Sequence, residues 1–226
     1  MTVKVTTSGQ PSSPTFDRPV IVLVEGGDDS AFVSKLISAS CENATDWHVH
    51  EMGGNKTNWK TQLEVILSSD EFDNVGRSVG LVMDADFDQS VPFQRCRDIL
   101  QENRLPSPSS PEQISDASNR WRTGIYIMPG QGRSGALEDL VLDAFDEARL
   151  KLARQYLHEV EAYRGCKFKN DSKSLVQAYL AGERNVVKTL KNAIEKGLLD
   201  DPFHHSLSNF SRFLISLGSE ISQSAN

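Results

Sequence analysis

Three acidic residues follow directly on short apolar runs, and their types and spacing point to metal chemistry. Glu25 comes after the apolar run of residues 19–24, and Asp84 and Asp86 come after the run of residues 78–83. Carboxylates that lie close together repel each other unless they are protonated or neutralised by a cation. Neither motif contains a lysine or arginine that could serve as that cation, and Mg²⁺ prefers oxygen ligands. The pattern therefore predicts that these residues bind Mg²⁺ or Mn²⁺.

The Asp84-Ala85-Asp86 motif has both a functional and a purely structural explanation. In an extended backbone the side chains of Asp84 and Asp86 point the same way, as two ligands of one ion would. Carboxylates at the end of a strand also commonly cap the following helix or lie in a solvated turn. The occurrence of Glu25 and the aspartate pair on successive strand–helix units favours the metal interpretation over the structural one.

A glycine-rich segment at residues 130–139 adds further candidates. Glu138 falls in the first turn of a predicted helix, where a carboxylate suits the helix dipole for structural reasons alone. The functional interpretation is that Glu138, alone or with Asp139, completes the metal site or holds a second ion. Arg133 and the free N–H groups of this junction are candidate phosphate ligands. Gly26 and Gly27 are candidates of the same kind, because glycine lets the backbone approach a ligand closely.

The elements that must position these residues follow from the hydrophobic pattern. Short apolar runs predict strands, and they alternate with stretches of helical periodicity. Strands are predicted at residues 19–24, 47–52, 78–83 and 124–128. A long amphipathic helix is predicted from near residue 135 to residue 156, and a long loop over residues 105–119. Alternating strands and helices imply a parallel sheet, whose ligands gather at the carboxyl ends of the strands.

Composition sets the broad class of protein. The chain has 226 residues, of which 38% are hydrophobic, and a net charge of −7. The apolar runs are too short to cross a bilayer, and the N-terminus does not resemble a secretory signal. Three widely spaced cysteines support neither a disulfide framework nor a zinc site, so we expect a cytoplasmic protein. The acidic charge argues against coating of nucleic acid, although bound metal ions could still face phosphates.

The acidic motifs resemble those of a known domain. Two segments resemble motifs of the Toprim domain. They are residues 23–28, Leu-Val-Glu-Gly-Gly-Asp, and residues 82–86, Val-Met-Asp-Ala-Asp. This domain occurs in topoisomerases, DnaG-type primases, small RNA-maturation nucleases and overcoming-lysogenization-defect nucleases. The resemblance implies that Glu25 is a general acid or base and that Asp84 and Asp86 bind Mg²⁺ for phosphodiester chemistry.

The resemblance extends beyond these two motifs. Residues 127–139 and the helical tail around residues 166–180 resemble a group of uncharacterised stand-alone Toprim-like proteins related to overcoming-lysogenization-defect nucleases. The likeness covers roughly residues 19–217. It implies a Toprim-like, Rossmann-like α/β fold with a parallel sheet flanked by helices and a helical C-terminal extension.

The same pattern divides the chain into three predicted parts. Residues 1–17 are expected to be a flexible N-terminal arm, because they are rich in Ser, Thr and Pro. Residues 18–150 are expected to form the Toprim-like domain, and residues 151–226 a helical extension packed on it.

One position departs from the family pattern. Relatives often carry a lysine after the Glu-Gly pair, where this chain has Gly27. If that lysine neutralises phosphate or a leaving group, then either Arg133, Lys56 or Lys60 replaces it in this chain or activity is reduced.

Three functions stay open at this level. The first is a Mg²⁺-dependent nuclease, a metal-dependent endonuclease that cleaves DNA or RNA in defence against phage or in nucleic-acid processing. The second is a non-catalytic or conditionally silent Toprim module that binds an ATPase partner, and the third is an α/β domain without metal. We expect no membrane association and leave a homo-oligomer open.

Overall fold

A computed structural model shows a mixed α/β protein built on one six-stranded sheet. The structure describes residues 2–7, 14–53, 58–116, 120–185, 187–197 and 204–219. The strands are β1 (Lys4–Thr7), β2 (Val20–Val24), β3 (Trp47–Glu51), β4 (Ser78–Asp84), β5 (Ile114–Asp116) and β6 (Arg122–Met128). Their order in the sheet is β1-β3-β2-β4-β6-β5. All neighbouring strands run parallel except β5, which pairs with β6 in the antiparallel direction.

Helices flank this sheet. In the described residues they are α1 (Gly27–Ser40), α2 (Trp59–Leu67), α3 (Asp70–Val75), α4 (Ser90–Glu102), α5 (Leu137–Leu142), α6 (Glu147–Arg164), α7 (Asp171–Ala181), α8 (Leu190–Glu195) and α9 (Ser208–Gly218). The predicted α/β class, with a mostly parallel sheet between helices, is confirmed. Within the described part of the chain, no helix has the length and apolar character needed to span a membrane.

Strand β2 shows why the sheet is covered on both faces. All five of its residues are buried. Val20, Val22 and Val24 belong to a core shared with α1, α5 and the C-terminal helices. Ile21 and Leu23 belong to a second core on the opposite face, with residues of α2, α3 and α4. A continuous apolar run is therefore what this strand requires, because both of its faces are packed against helices.

The last helix, α9, packs directly against the middle of the sheet. Phe210, Phe213, Leu214 and Leu217 are buried in the same core as β2. A Cβ at Gly124 of β6 would come within 2.7 Å of the Phe213 ring. The C-terminal helices therefore share a core with the sheet, and glycine in β6 makes the close approach of α9 possible.

The N-terminal segment differs from the predicted loose arm. Lys4–Thr7 forms β1 and pairs with β3 at one edge of the sheet. The Thr6 hydroxyl lies 2.6 Å from His48 Nε2 and 2.8 Å from His50 Nδ1, both of which are buried in β3. The prediction of a flexible arm is therefore wrong for these four residues. Thr6 of β1 bonds to two histidines of the neighbouring strand β3, more than forty residues along the chain. The short strand β1 lacks the apolar pattern by which strands are predicted.

Two further differences concern helix and strand boundaries. The helix predicted from residue 135 to residue 156 is two helices, because α5 ends at Leu142 and the Asp146 side chain caps a new helix, α6. The predicted loop over residues 105–119 contains the short strand β5. Both differences fall where few residues carry the pattern and tertiary packing decides.

Candidate functional site

Glu25 and Asp84 meet at the carboxyl edge of the sheet. Glu25 follows the last residue of β2, and Asp84 is the last residue of the neighbouring strand β4. The Asp84 backbone N–H donates to Glu25 Oε1 at 3.3 Å. The Asp84 carboxylate accepts a hydrogen bond from the Leu137 N–H at the start of α5, at 3.0 Å. The two predicted site residues from separate motifs are therefore brought together.

Helix α1 begins at this edge and adds a buried carboxyl, Asp29. Gly26 is the N-cap, and its N–H donates to Asp29 Oδ2 at 2.9 Å. The Asp29 residue is only 8% exposed. Asp29 is not among the site residues predicted from the sequence. The available signal was its position three residues after Gly26, where an acidic side chain can turn back to the first free N–H of a helix.

Helix α5 begins in the same way on the other side of Asp84. Ala136 is its N-cap, and the Ala136 N–H donates to Asp139 Oδ2 at 2.8 Å. Asp139 Oδ1 also accepts from the Ser172 hydroxyl of α7 at 2.5 Å. The neighbouring Glu138 side chain is 14% exposed and forms an ion pair with Lys173, with 3.5 Å between Nζ and Oε1.

The carboxyls act on each other electrostatically. Burial raises the pKa of Asp84 to about 8, and the negative charges of Asp29, Glu25 and Glu138 add to this rise. The hydrogen bond from the Leu137 N–H opposes it but is the smaller effect. Deprotonated Asp84 is therefore costly in the metal-free protein, first because the group is buried and second because other carboxylates lie near it.

Asp29 belongs to the same electrostatic group. Burial raises its pKa to about 7, against the hydrogen bond from the Gly26 N–H, which lowers it. The charges of Glu25, Asp28 and Glu138 raise it further. The structure thus associates Glu25, Asp29, Asp84 and Glu138, three of which the sequence predicted.

Asp86 has a different environment. Strand β4 ends at Asp84, and Asp86 adopts a left-handed backbone with φ of 52°. Its backbone exchanges hydrogen bonds with Gly135, and the residue is exposed. The extended conformation expected for this motif is therefore wrong at Asp86, because the chain turns to meet the segment before α5. Metal binding by Asp86 stays a prediction.

The carboxylates at this edge suit a hard cation in type, but their side chains do not yet point to one common position. All the clustered groups are carboxylates, the ligands that Mg²⁺ and Mn²⁺ take. Among the residues that the structure describes, no three His, Cys, Asp or Glu side chains converge closely enough to hold one ion. Rotation of Glu25, Asp84 and Glu138 towards a shared point would be needed, and Mg²⁺ usually keeps several waters that bridge such gaps.

The predicted phosphate ligands Gly26, Gly27 and Arg133 differ in how accessible they are to a ligand. A Cβ at Gly26 would meet no atom within 4 Å, so its backbone is open to a ligand. A Cβ at Gly27 would lie 3.7 Å from Lys191 Nζ. Arg133 forms an ion pair with Asp143 at 2.7 Å and is about two-fifths exposed.

Relatives often carry a lysine at the position of Gly27, and Lys56 and Lys60 are two of the residues predicted to replace it. Lys60 forms an ion pair with Glu102 at 3.2 Å, and Lys56 lies outside the described residues. Lys191, which is not among the residues predicted from the sequence, is the lysine that the fold brings beside Gly27. It comes from α8, 164 positions along the chain, so no local pattern could have revealed it.

Similarity to solved structures is limited. Three structures of the C-terminal region of the OLD protein from Xanthomonas campestris pv. campestris, phased with mercury, platinum and iodine, match with TM-scores of 0.49, 0.48 and 0.46. The sequence identities are 14%, 12% and 14%, over 91–92% of this chain and 98–99% of theirs. No protein with a curated description matches the chain significantly.

A family model also matches most of the chain. The model described as "Protein of unknown function (DUF3226)" matches residues 19–219, which include β2 to α9 and every candidate site residue. The chain therefore belongs to the DUF3226 family.

Proposed function

We propose that this protein is a Mg²⁺-dependent nuclease of the Toprim type that cleaves phosphodiester bonds in DNA or RNA. The observation that carries the proposal is the meeting of Glu25 and Asp84, from separate motifs, at the carboxyl edge of a parallel sheet. Ligand sites in such sheets lie at this edge. The Toprim resemblance of the two motifs supports the same assignment, including the Toprim-like nature of the fold.

Each acidic residue has a proposed role. Asp84, Asp86 and Glu138 hold the divalent ion, and Glu25 contributes to its binding and acts as the general acid or base. When bound, the ion would polarise the scissile phosphate and stabilise the negative charge that develops on it. Asp29, which is buried beside these groups, adds negative charge that favours ion uptake.

The phosphate backbone would lie across the starts of α1 and α5. Phosphate would approach the backbone at Gly26, where a Cβ would meet nothing within 4 Å, and at Gly27, beside the Lys191 ammonium. Arg133 is partly exposed and would add a second cation on the α5 side after exchanging its partner Asp143. Lys191 thus replaces the lysine that relatives carry after the Glu-Gly pair.

Cleavage assays with matched variants test this function. DNA and RNA substrates, single- and double-stranded, are incubated with Mg²⁺ or Mn²⁺ and the wild-type protein. Glu25→Gln and Asp84→Asn should each reduce cleavage, by about 10²- to 10⁴-fold for a lost acid or base. Glu64→Gln, an exposed carboxyl on α2, is the matched control and should cleave normally. Equal cleavage by wild type and both site variants would reject the mechanism.

One observation favours a second candidate function. The acidic side chains do not converge on one point in the described residues, which is compatible with a site that assembles only with a partner. In this alternative the chain is a conditionally silent Toprim module bound to an ATPase, as in defence systems. The test compares cleavage by the chain alone and with any ATPase that is found to be encoded next to its gene. Activity that appears only in the complex would select this alternative over the stand-alone nuclease.

A further inference from the structure

Lys173 reaches the carboxyl cluster from the first turn of α7. Its Nζ lies 3.5 Å from Glu138 Oε1. The Lys173 side chain is 63% exposed, whereas the Glu138 side chain is only 14% exposed. A largely solvent-exposed ammonium therefore contacts a carboxylate that has little other access to solvent.

The fold fixes the base of Lys173 independently of its charge. The Asn170 side chain caps α7 by accepting from the Lys173 N–H at 2.8 Å. The adjacent Ser172 hydroxyl donates to Asp139 Oδ1 at 2.5 Å, which joins α7 to the start of α5. Because these contacts do not involve the Lys173 ammonium, the side chain can leave Glu138 without moving the helix.

Glu138 is the group through which this ammonium acts on the site. The negative charge of Glu138 raises the carboxyl pKa of both Asp84 and Asp29. An ammonium beside Glu138 offsets part of that negative charge. A divalent ion bound by Glu138 would offset the same charge, so the ion and the ammonium compete for one carboxylate.

We propose that Lys173 is the built-in counter-ion of the carboxyl cluster, paired with Glu138 in the metal-free protein and released when a divalent ion binds. The inference rests on the proposed function in that Glu138 is a metal ligand there. The released ammonium stands at the rim of the site and binds a phosphate of the nucleic-acid backbone. Metal uptake thereby prepares the site for its polyanionic substrate.

The exchange predicts that Lys173→Gln strengthens Mn²⁺ binding but weakens nucleic-acid binding. Lys173→Gln removes the competitor for Glu138, so Mn²⁺ should bind more tightly, by roughly two- to fivefold for a partly exposed ion pair. The same change removes a phosphate contact, so nucleic acid should bind more weakly to the metal-loaded protein. The slope of log binding constant against log salt should fall in magnitude by about one unit. A purely structural role would not produce this pair of effects.

Calorimetry and fluorescence anisotropy measure the two effects. Mn²⁺ alone is titrated into the wild type, Lys173→Gln, Lys173→Arg and Lys196→Gln. Lys173→Arg keeps the charge and should behave like the wild type, and Lys196→Gln removes an exposed lysine at the end of α8 as the matched control. Anisotropy uses a fluorescent oligonucleotide, as DNA and as RNA, with Ca²⁺ in place of Mg²⁺. The nucleic acid that shows the changed salt slope identifies the substrate type.

The outcomes separate this proposal from the proposed function. Equal or weaker Mn²⁺ binding by Lys173→Gln, with normal Mn²⁺ binding by the wild type, overturns the counter-ion role and leaves the metal site standing. Failure of the wild type to bind Mn²⁺ overturns the proposed function and the exchange together. Urea unfolding of the metal-free protein adds a double-mutant cycle of Lys173→Gln and Glu138→Gln. A coupling energy of zero in that cycle overturns the pairing even where metal binds.

Discussion

The starts of α1 and α5 are built alike but are held by different partners. In each, the N-cap N–H donates to an aspartate three residues later, Asp29 in α1 and Asp139 in α5. In each, the residue before that aspartate is acidic and faces a C-terminal helix. Asp28 accepts from the Lys191 backbone N–H at 2.6 Å, whereas Glu138 pairs with the Lys173 side chain.

The contact of Asp28 is fixed by the backbone, whereas the contact of Glu138 is made by a side chain that can exchange partners. A backbone N–H at the start of α8 cannot leave Asp28 unless that helix moves, so Asp28 joins α8 to α1. The Lys173 ammonium is carried on a flexible side chain and can leave Glu138 at little cost. Similar acidic residues at equivalent helix positions therefore serve stability in α1 and, in our proposal, metal exchange in α5.

The largest change in stability that distinguishes the two helix starts is expected at Gly135, just before the N-cap of α5. Gly135 has a φ of 127°, and a Cβ there would lie 2.5 Å from Asp139 Oδ2. Gly135→Ala should lower the free energy of unfolding by about 3 kcal/mol through backbone strain and loss of the Asp139 cap. Gly27→Ala in α1 is the matched control, because its Cβ would meet nothing closer than 3.5 Å. Urea unfolding of both variants measures the difference, and equal losses would contradict it.

The next effect distinguishes the two acidic residues that face the C-terminal helices. Asp28→Ala should lower the free energy of unfolding by about 2 kcal/mol, because it removes a hydrogen bond to a charged group. Glu138→Gln should change stability less but weaken Mn²⁺ binding, because it removes a proposed ligand. Urea unfolding and Mn²⁺ calorimetry on both variants make the comparison. Strong Mn²⁺ loss in Asp28→Ala with none in Glu138→Gln would reverse our assignment.

A smaller effect concerns the pH dependence of Asp29. Its folded-state pKa of about 7 lies above the ordinary value of 3.8, so the folded state binds a proton more readily. The resulting stability is fully present below about pH 4 and is lost as the pH rises through 7. Asp29→Asn should therefore stabilise the metal-free protein at pH 8 by on the order of 1–2 kcal/mol. Asp139→Asn, which weakens bonds to Ala136 and Ser172, should destabilise it, and urea unfolding at pH 5 and pH 8 checks both signs.

The smallest expected effect separates stability from ligand approach at Gly27. Gly27→Ala should leave the free energy of unfolding within about 0.5 kcal/mol of the wild type. If phosphate approaches the backbone here beside Lys191, the added methyl group should still weaken oligonucleotide binding in Ca²⁺. Anisotropy measures the loss, with the exposed Ser38→Ala of α1 as the control. Unchanged binding would remove Gly27 from the phosphate site.

Residues that end buried strands could be placed from the sequence. Glu25 and Asp84 each follow a continuous apolar run, and parallel strands bring their carboxyl ends to one edge of the sheet. The same reasoning failed at Asp86 because the strand ends two residues earlier and the chain turns towards Gly135. A turn of this kind depends on a contact with a segment almost fifty residues away, which no local pattern contains.

The features that the sequence missed are all formed by distant partners. Asp29 becomes important because the fold buries its carboxyl within reach of the charges of Glu25 and Glu138. Strand β1 forms because Thr6 fits between two histidines of β3. Only the packing of α7 and α8 brings Lys173 and Lys191 to the acidic edge. The sequence therefore predicts the strand ends but not the groups that other elements deliver to them.

The most direct measurement is the anomalous scattering of manganese in crystals soaked in a Mn²⁺ salt. Our account predicts an anomalous peak at ligand distance from Glu25 and Asp84, with Glu138 turned towards it and Lys173 no longer paired. Crystals of Asp84→Asn soaked in the same way should lack this peak. A wild-type crystal without manganese at this edge, or with the ion bound only elsewhere, would contradict the metal site on which the account depends.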